Sequence, residues 1–210
     1  MPSSRPRIEF DINGVCNSCN YQKKKETIDW NERRAQFEDL CNKHRSKDGN
    51  YDCIVPWSGG KDSSSIAYKL KHTFKMNPLL TTFSPLIPSK IGIVNRELLL
   101  NTGFDNYFFR PDQKISRYLS KRFFIERGNP KVHWDAGINA FPVKVAMEKN
   151  IKLIFYAEHG ESEYGGKVLG DDSDKIRDVS EVLENQVGDD PTNWVDEVVS
   201  KNDLNMYKYP

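Results

Sequence analysis

Residues 51–65, YDCIVPWSGGKDSSS, constrain the fold of this chain more than any other stretch. A short apolar run ends on an adjacent glycine pair, and a stretch with Ile66, Ala67, Leu70 and Phe74 on one helical stripe follows at once. Two neighbouring glycines weaken helix and strand alike, so the chain must turn there. A buried strand that enters a helix through a tight glycine turn is how a βαβ unit opens, and such units build parallel sheets.

The downstream pattern repeats this alternation. Residues 78–84 (PLLTTFS) read as a second strand, and residues 90–102 as a helix with Ile91, Val94 and Leu98 on one face, closed by Gly103. A third strand is expected at 106–110, then a helix capped by Asp112 and closed by Gly128, then a helix at 139–149. A fourth strand is expected at 151–158 (IKLIFYAE). Upstream, residues 28–44 carry apolar groups at helical spacing, and residues 1–26 read as loop or a small cysteine-containing module. The expected class is α/β, a parallel sheet with helices on both faces. Ligands of such sheets bind outside the carboxyl ends of the strands. The glycine loop 58–65 and the acidic loop after residue 158 both fall on that edge.

The loop has the makings of an anion site. Its glycines let the backbone come close to a ligand, and the free N–H groups of the helix start point outward. Ser58 and Ser63 add hydroxyls and Lys61 a positive charge. The spacing matches neither the Walker A pattern nor the dinucleotide fingerprint. Asp62 would repel a bare phosphate but suits Mg²⁺ bridging phosphates.

In this setting SGGKDS resembles the SGGxDS loop of the PP-loop ATP pyrophosphatases, of the adenine nucleotide alpha hydrolase-like (HUP) type. The segments PRIEFDINGVCNSC, IDWNERRAQFEDL, HRSKDGNYDCIVPWSGGKDSS, MNPLLTTFSP, GFDNYFF and LIFYAEHGESEYGG together resemble the N-acetyl sugar amidotransferase family over residues 5–166. That family acts in the biosynthesis of surface polysaccharides such as lipopolysaccharide O-antigen, and of pseudaminic and legionaminic acids. The resemblance implies an ATP-dependent enzyme that turns a sugar acetamido group into an acetamidino group. The amide oxygen is adenylated, pyrophosphate leaves, and ammonia displaces AMP.

Residue by residue, the resemblance implies that Ser58, Gly59, Gly60, Lys61, Asp62 and Ser63 hold the ATP phosphates, with Asp62 as the Mg²⁺ ligand. Thr82, Phe83 and Ser84 would border the adenosine. Lys61, Asp62 and Glu158 are the expected catalytic set. Trp134, His159, Glu161 and Glu163 are candidates for the acetamido sugar, although Glu158, Glu161 and Glu163 also read as a solvated acidic turn and Trp134 as a buried loop anchor. His159 stands where the family commonly has Asn. Pro2 follows Met1, and no segment offers a glutaminase triad, so ammonia is expected from a separate glutaminase subunit or from free ammonium.

Cys16 and Cys19 form half of a structural zinc site, which needs four ligands; family members carry a second such pair before a Met-Pro, so the chain is expected to lack material at both ends. Four cysteines in 210 residues do not suggest a disulfide framework, and no secretory or membrane-spanning segment is legible, so a reducing cytoplasmic setting is expected. Charge is uneven. Residues 51–157 carry 16 Lys and Arg against 8 Asp and Glu, while residues 158–210 carry 5 against 14. A basic centre suits an anionic nucleotide. The expected organisation is an N-terminal segment 1–50, an ATP-binding domain 51–166 and an acidic segment 167–210, with no closing core element. Two rival readings are a tRNA-modifying thiolase of the same superfamily and a non-catalytic nucleotide-binding remnant. No cysteine follows Cys53 and the end of the chain is acidic, which fits neither thiolase chemistry nor RNA, so nucleic acid is not an expected partner.

Overall fold

The computed structural model describes residues 2–4, 8–158 and 179–210. These fall into two units. One holds the N-terminal residues through Lys43 together with Glu158; the other holds His44–Ala157 and Val179–Pro210.

In the first unit, Asp11 organises a turn: its Oδ1 accepts the backbone N–H groups of Asn13 and Val15 at 2.9 and 3.0 Å. An antiparallel bridge joins Phe10 to Cys16. Helix α1 (Asn17–Lys25) follows, then α2 (Trp30–Lys43). The sequence suggested no helix at 17–25, and the reason is physical. Helix α1 buries no residue, so it needs no apolar stripe and leaves no period to read.

The second unit is the expected α/β layer structure. Strands β1 (Cys53–Pro56), β2 (Pro78–Phe83) and β3 (Asp105–Phe109) form a parallel sheet in the order β1-β2-β3. Ile54 pairs with Leu79, and Thr82 with Phe108. Cys53, Ile54 and Val55 are wholly buried, as a strand covered on both faces must be. Helix α3 (Lys61–His72) connects β1 to β2, and α4 (Lys90–Leu100) connects β2 to β3. Helices α5 (Gln113–Arg127) and α6 (Val132–Glu148) then cover the face that carries Leu79 and Phe83.

The expected fourth strand is reduced to one bridge. Ile54 donates to the carbonyl of Leu153 at 2.9 Å, and Phe155 donates to the carbonyl of Ile54 at 2.8 Å, pairing Ile154 parallel to β1 on its free side. The chain therefore moves outward from β1 to β3 and then returns to the opposite side of β1. That reversal is a topological switch point, where ligand crevices form at the carboxyl ends of the strands.

Two further differences from the sequence reading have clear causes. Trp134 and Asp135 do not sit in a loop: α6 starts at Val132 and carries both in its first turn. Gly137 is where the helix lies flat on β2. A β-carbon there would stand 2.4 Å from the Phe83 ring. Nor does the C-terminal stretch 179–210 lack a core element. Val182, Val187, Trp194, Val199, Leu204 and Tyr207 are buried in the same core as Ile54, Phe83, Phe123 and Phe141. Their spacing runs irregularly from three to seven residues, so no helical or strand period marks them. Several acids there act as turn caps: Asp190 accepts from Thr192, Asp196 from Val198 and Val199, and Asp203 from Ser200. No described helix is long and apolar enough to cross a membrane.

Candidate functional site

The site is built where β1 ends. Trp57 continues the ladder by donating its N–H to the Thr81 carbonyl at 2.8 Å, and its buried indole donates to Ser64 Oγ at 2.8 Å. This wedge fixes the start of α3 against the strand. Between them, Ser58 is exposed and its Oγ accepts the Gly60 N–H at 3.3 Å. Gly59 turns the chain at φ +86°, in the region where only glycine is comfortable.

Gly60 is the N-cap of α3, and among the described residues no side chain caps that terminus. The first N–H groups of a helix have no partner within it, and the helix dipole adds positive potential there. An exposed glycine turn leading into an uncapped 12-residue helix at a switch point is therefore suited to an anion.

The loop's side chains divide into two groups. Lys61 and Asp62 are exposed, and Lys61 Nζ lies 2.8 and 2.9 Å from the two oxygens of Asp62. An exposed carboxylate on the first turn of a helix whose start suits an anion fits a Mg²⁺ ion, which takes one or two carboxylates and completes its shell with phosphate and water. Ser63 points the other way. It is buried, and its hydroxyl donates to the Gly60 carbonyl at 3.4 Å, so it braces the turn from within.

The end of β2 joins this edge. Thr82 is buried and its Oγ1 donates to the Trp57 carbonyl at 2.7 Å, which ties β2 to the loop entry. Phe83 lies in the core against Phe109, Phe141 and Tyr207. Ser84 is buried and its hydroxyl donates to the Pro85 carbonyl. The backbone of this stretch thus reaches the carboxyl edge, while its side chains are committed to packing.

Arg96 is a neighbour that sequence reasoning missed. Helix α4 lies against the loop: a β-carbon on Gly59 would stand 3.7 Å from the Gly92 carbonyl and 3.8 Å from Arg96 Cβ. The Arg96 guanidinium is 4.7 Å from the centre of the Phe108 ring, on the same face of the sheet as Thr82. Gly92 and Arg96 are four residues apart and share one helix face, but nothing in the sequence links that face to Gly59.

The other candidates are dispersed. Trp134 is half-buried on α6, packs against the core, and has Lys131 Nζ 5.8 Å from its ring; its buried indole N–H has no partner among the described residues. Beside it, His133 is buried, and burial pushes its imidazole down to about 4. Asp135 is pushed above the ordinary carboxylate range by burial, against the pull of Lys131. Glu158 is exposed and belongs to the first unit. His159, Glu161 and Glu163 lie outside the described residues.

Cys16 is buried and Cys19 exposed. The Cys19 amide, and then its thiol, hold the Cys16 thiol below the ordinary range, while Cys19 is raised by the same pairing. Among the described residues no three His, Cys, Asp or Glu side chains are placed to share a metal ion. The two thiols are half of a tetrahedral set and do not by themselves fit a structural zinc.

No family model matches the chain, and no curated protein matches it. Among solved structures it is similar to a predicted subunit of a tRNA methyltransferase from Methanocaldococcus jannaschii, at 18% identity and a TM-score of 0.36. The match covers 64% of this chain and 63% of that one. The reading of the site therefore stands on the loop itself.

Proposed function

We propose that this chain binds ATP at residues 58–63 and uses it as an ATP-dependent amidotransferase, converting an acetamido sugar to an acetamidino sugar in surface-glycan biosynthesis. The observation that carries this reading is the glycine turn that runs from β1 into the uncapped start of α3. The finer assignment to the N-acetyl sugar amidotransferases is supported by the sequence resemblance over residues 5–166.

ATP, held with Mg²⁺, supplies an activated leaving group for the amide oxygen. The chain's own residues bind and orient. The amides of Gly59, Gly60 and the first turn of α3 donate to phosphate oxygens, and Ser58 adds a hydroxyl beside them. Asp62 holds the metal, and Lys61, already paired with it, offsets phosphate charge. Ser63, Thr82 and Trp57 hold the turn in shape. The backbone of Thr82, Phe83 and Ser84 borders the base. Trp134 is proposed for the sugar on this unit; Glu158, His159, Glu161 and Glu163 are proposed for it on the sequence resemblance alone. Ammonia comes from a separate glutaminase subunit or from ammonium.

The test is a reaction with ATP, ammonium and a panel of nucleotide-linked acetamido sugars and nonulosonic acids. AMP and pyrophosphate should appear only with the right sugar, and its product should be lighter by about 1 Da, as oxygen gives way to NH. Asp62→Ala should abolish Mg²⁺-dependent AMP formation with the far-UV circular dichroism unchanged. Binding of ATP without any AMP across the panel would instead favour a nucleotide-binding remnant.

A further inference from the structure

Cys16 and Cys19 stand together at one helix start in the first unit. Cys16 is the N-cap of α1, with extended backbone, and Cys19 is the third residue of the helix. Three positions apart at a helix start, their α-carbons fall within the roughly 4.4–6.8 Å that a disulfide spans. The two thiols are also hydrogen-bond neighbours of each other.

The backbone around the pair is held from both sides. The Asp11 N–H donates to the Val15 carbonyl at 3.0 Å and the Asn17 N–H to the Glu9 carbonyl at 2.9 Å, which frames the bridge between Phe10 and Cys16. The Asp11 carboxylate reaches further. Its Oδ1 accepts the Val15 N–H at 3.0 Å, and its Oδ2 accepts the Asn20 side-chain amide at 2.9 Å. One side chain therefore grips the residue before Cys16 and the residue after Cys19. Helix α1 buries none of its own residues, so these hydrogen bonds rather than a core under the helix fix where the two sulfurs sit.

Access divides the roles. Cys19 is exposed, while Cys16, Cys41 and Cys53 are buried. One sulfur meets solvent and a second waits directly behind it, the arrangement of an attacking and a resolving thiol. The positive potential of a helix N-terminus favours the thiolate that resolution requires. A structural zinc would draw on the same sulfurs but needs two further ligands, and among the described residues no third His, Cys, Asp or Glu is placed to join them.

We propose that Cys16 and Cys19 are a redox-active dithiol, closed to an intramolecular disulfide by exchange with a low-molecular-weight disulfide and reopened by a low-molecular-weight thiol. The Cys19 sulfur bonds to one sulfur of the small disulfide; the other leaves as a thiol and takes the Cys19 proton. The Cys16 sulfur then bonds to the Cys19 sulfur and expels the second small thiol, which takes the Cys16 proton. Two protein thiols are oxidised, and one small disulfide is reduced to two thiols. This site does not depend on the nucleotide reading.

Glutathione is the probe. The full chain is equilibrated in buffers of rising glutathione disulfide, quenched with acid, alkylated, and weighed intact and as peptides. The parent chain should become lighter by about 2 Da before alkylation and lose two alkylation sites, both in the peptide that carries Cys16 and Cys19. Excess reduced glutathione should restore them. Cys16→Ser should instead retain glutathione on Cys19, heavier by about 305 Da, because no second thiol expels it. Cys19→Ser should gain neither change in the same buffers, since the sulfur left behind is buried. Circular dichroism checks that both variants fold, and the peptide map of the parent chain decides the matter by itself if either does not. Both thiols still open to alkylation at every ratio, a lasting glutathione adduct on the parent chain, or a disulfide joining two chains would overturn the proposal. Zinc in the purified chain that shields both thiols would overturn it in favour of a metal site.

Discussion

The two faces of the sheet are built by opposite means. On one, α6 presses so close to β2 that Gly137 has no room for a side chain, and ten of its seventeen residues are buried. On the other, α4 buries nothing, and meets the rest of the fold at Gly59 and through Arg96 over Phe108. Both helices are rich in apolar residues. The lesson is that apolar content states how much surface a helix would bury, and its neighbours decide whether that surface lies inside the subunit or waits outside it. The dense face supplies stability, and the open face carries the glycine loop proposed above to hold a ligand.

The sharpest way to break this contrast is to fill the closest approach. Gly137→Ala places a methyl inside contact distance of a Phe83 ring already hemmed in by Phe109, Phe141 and Tyr207. The expected loss is about 3 kcal/mol, at the upper end for overpacking, and urea unfolding would measure it. A loss below about 0.5 kcal/mol would mean that α6 is not held flat on the sheet.

Acid is the next test. His133 is buried on the dense face, 6.1 Å from the Tyr207 ring, with an Nδ1 that has no hydrogen-bond partner among the described residues. Its folded pKa of about 4 lies below the ordinary 6.5, so the unfolded chain binds the proton more readily. The stabilisation from keeping it neutral is therefore complete above pH 6.5 and is lost as the pH falls toward 4, by up to about 3 kcal/mol. His133→Gln should flatten that part of the pH–stability curve, and NMR titration should find one imidazole still neutral at pH 5.

On the open face the effects should separate binding from stability. Gly60 has ordinary backbone angles, and a β-carbon there would meet only Ser58 Oγ, at 3.3 Å. Gly60→Val should leave the melting temperature within a few degrees while removing detectable ATP binding in calorimetry. Retained affinity would count against the cradle. Smallest of all, Ile91→Ser should change unfolding free energy by no more than about 0.5 kcal/mol, since the side chain it shortens is already in water. A larger loss would mean that this side of α4 is packed within the subunit.

Much of the frame was legible in advance because it obeys local rules. The run CIVP before two glycines had to be a strand meeting a turn, and Asp112 and Gly128 bracket α5 as cap and stop. The loop's members could be named from sequence because they are contiguous. Arg96 and Trp57 could not be tied to that loop, since their places depend on which helix leans on which turn. The C-terminal core residues escaped notice for a related reason: Trp194 sits on a single 3-10 turn and Tyr207 on irregular backbone, both near capping aspartates, so burial follows no period.

The sequence by itself determined that strands and helices alternate, that the sheet is parallel, and that an anion-suited turn stands at the carboxyl end of its first strand. These follow from side-chain period and glycine's backbone freedom, which act over a few residues. Only the tertiary structure decided that the chain doubles back across β1 to make a switch point, that an acidic stretch closes the core, and that α4 turns its apolar side outward. Each depends on contacts between segments tens of residues apart, where free energy is set by what packs against what.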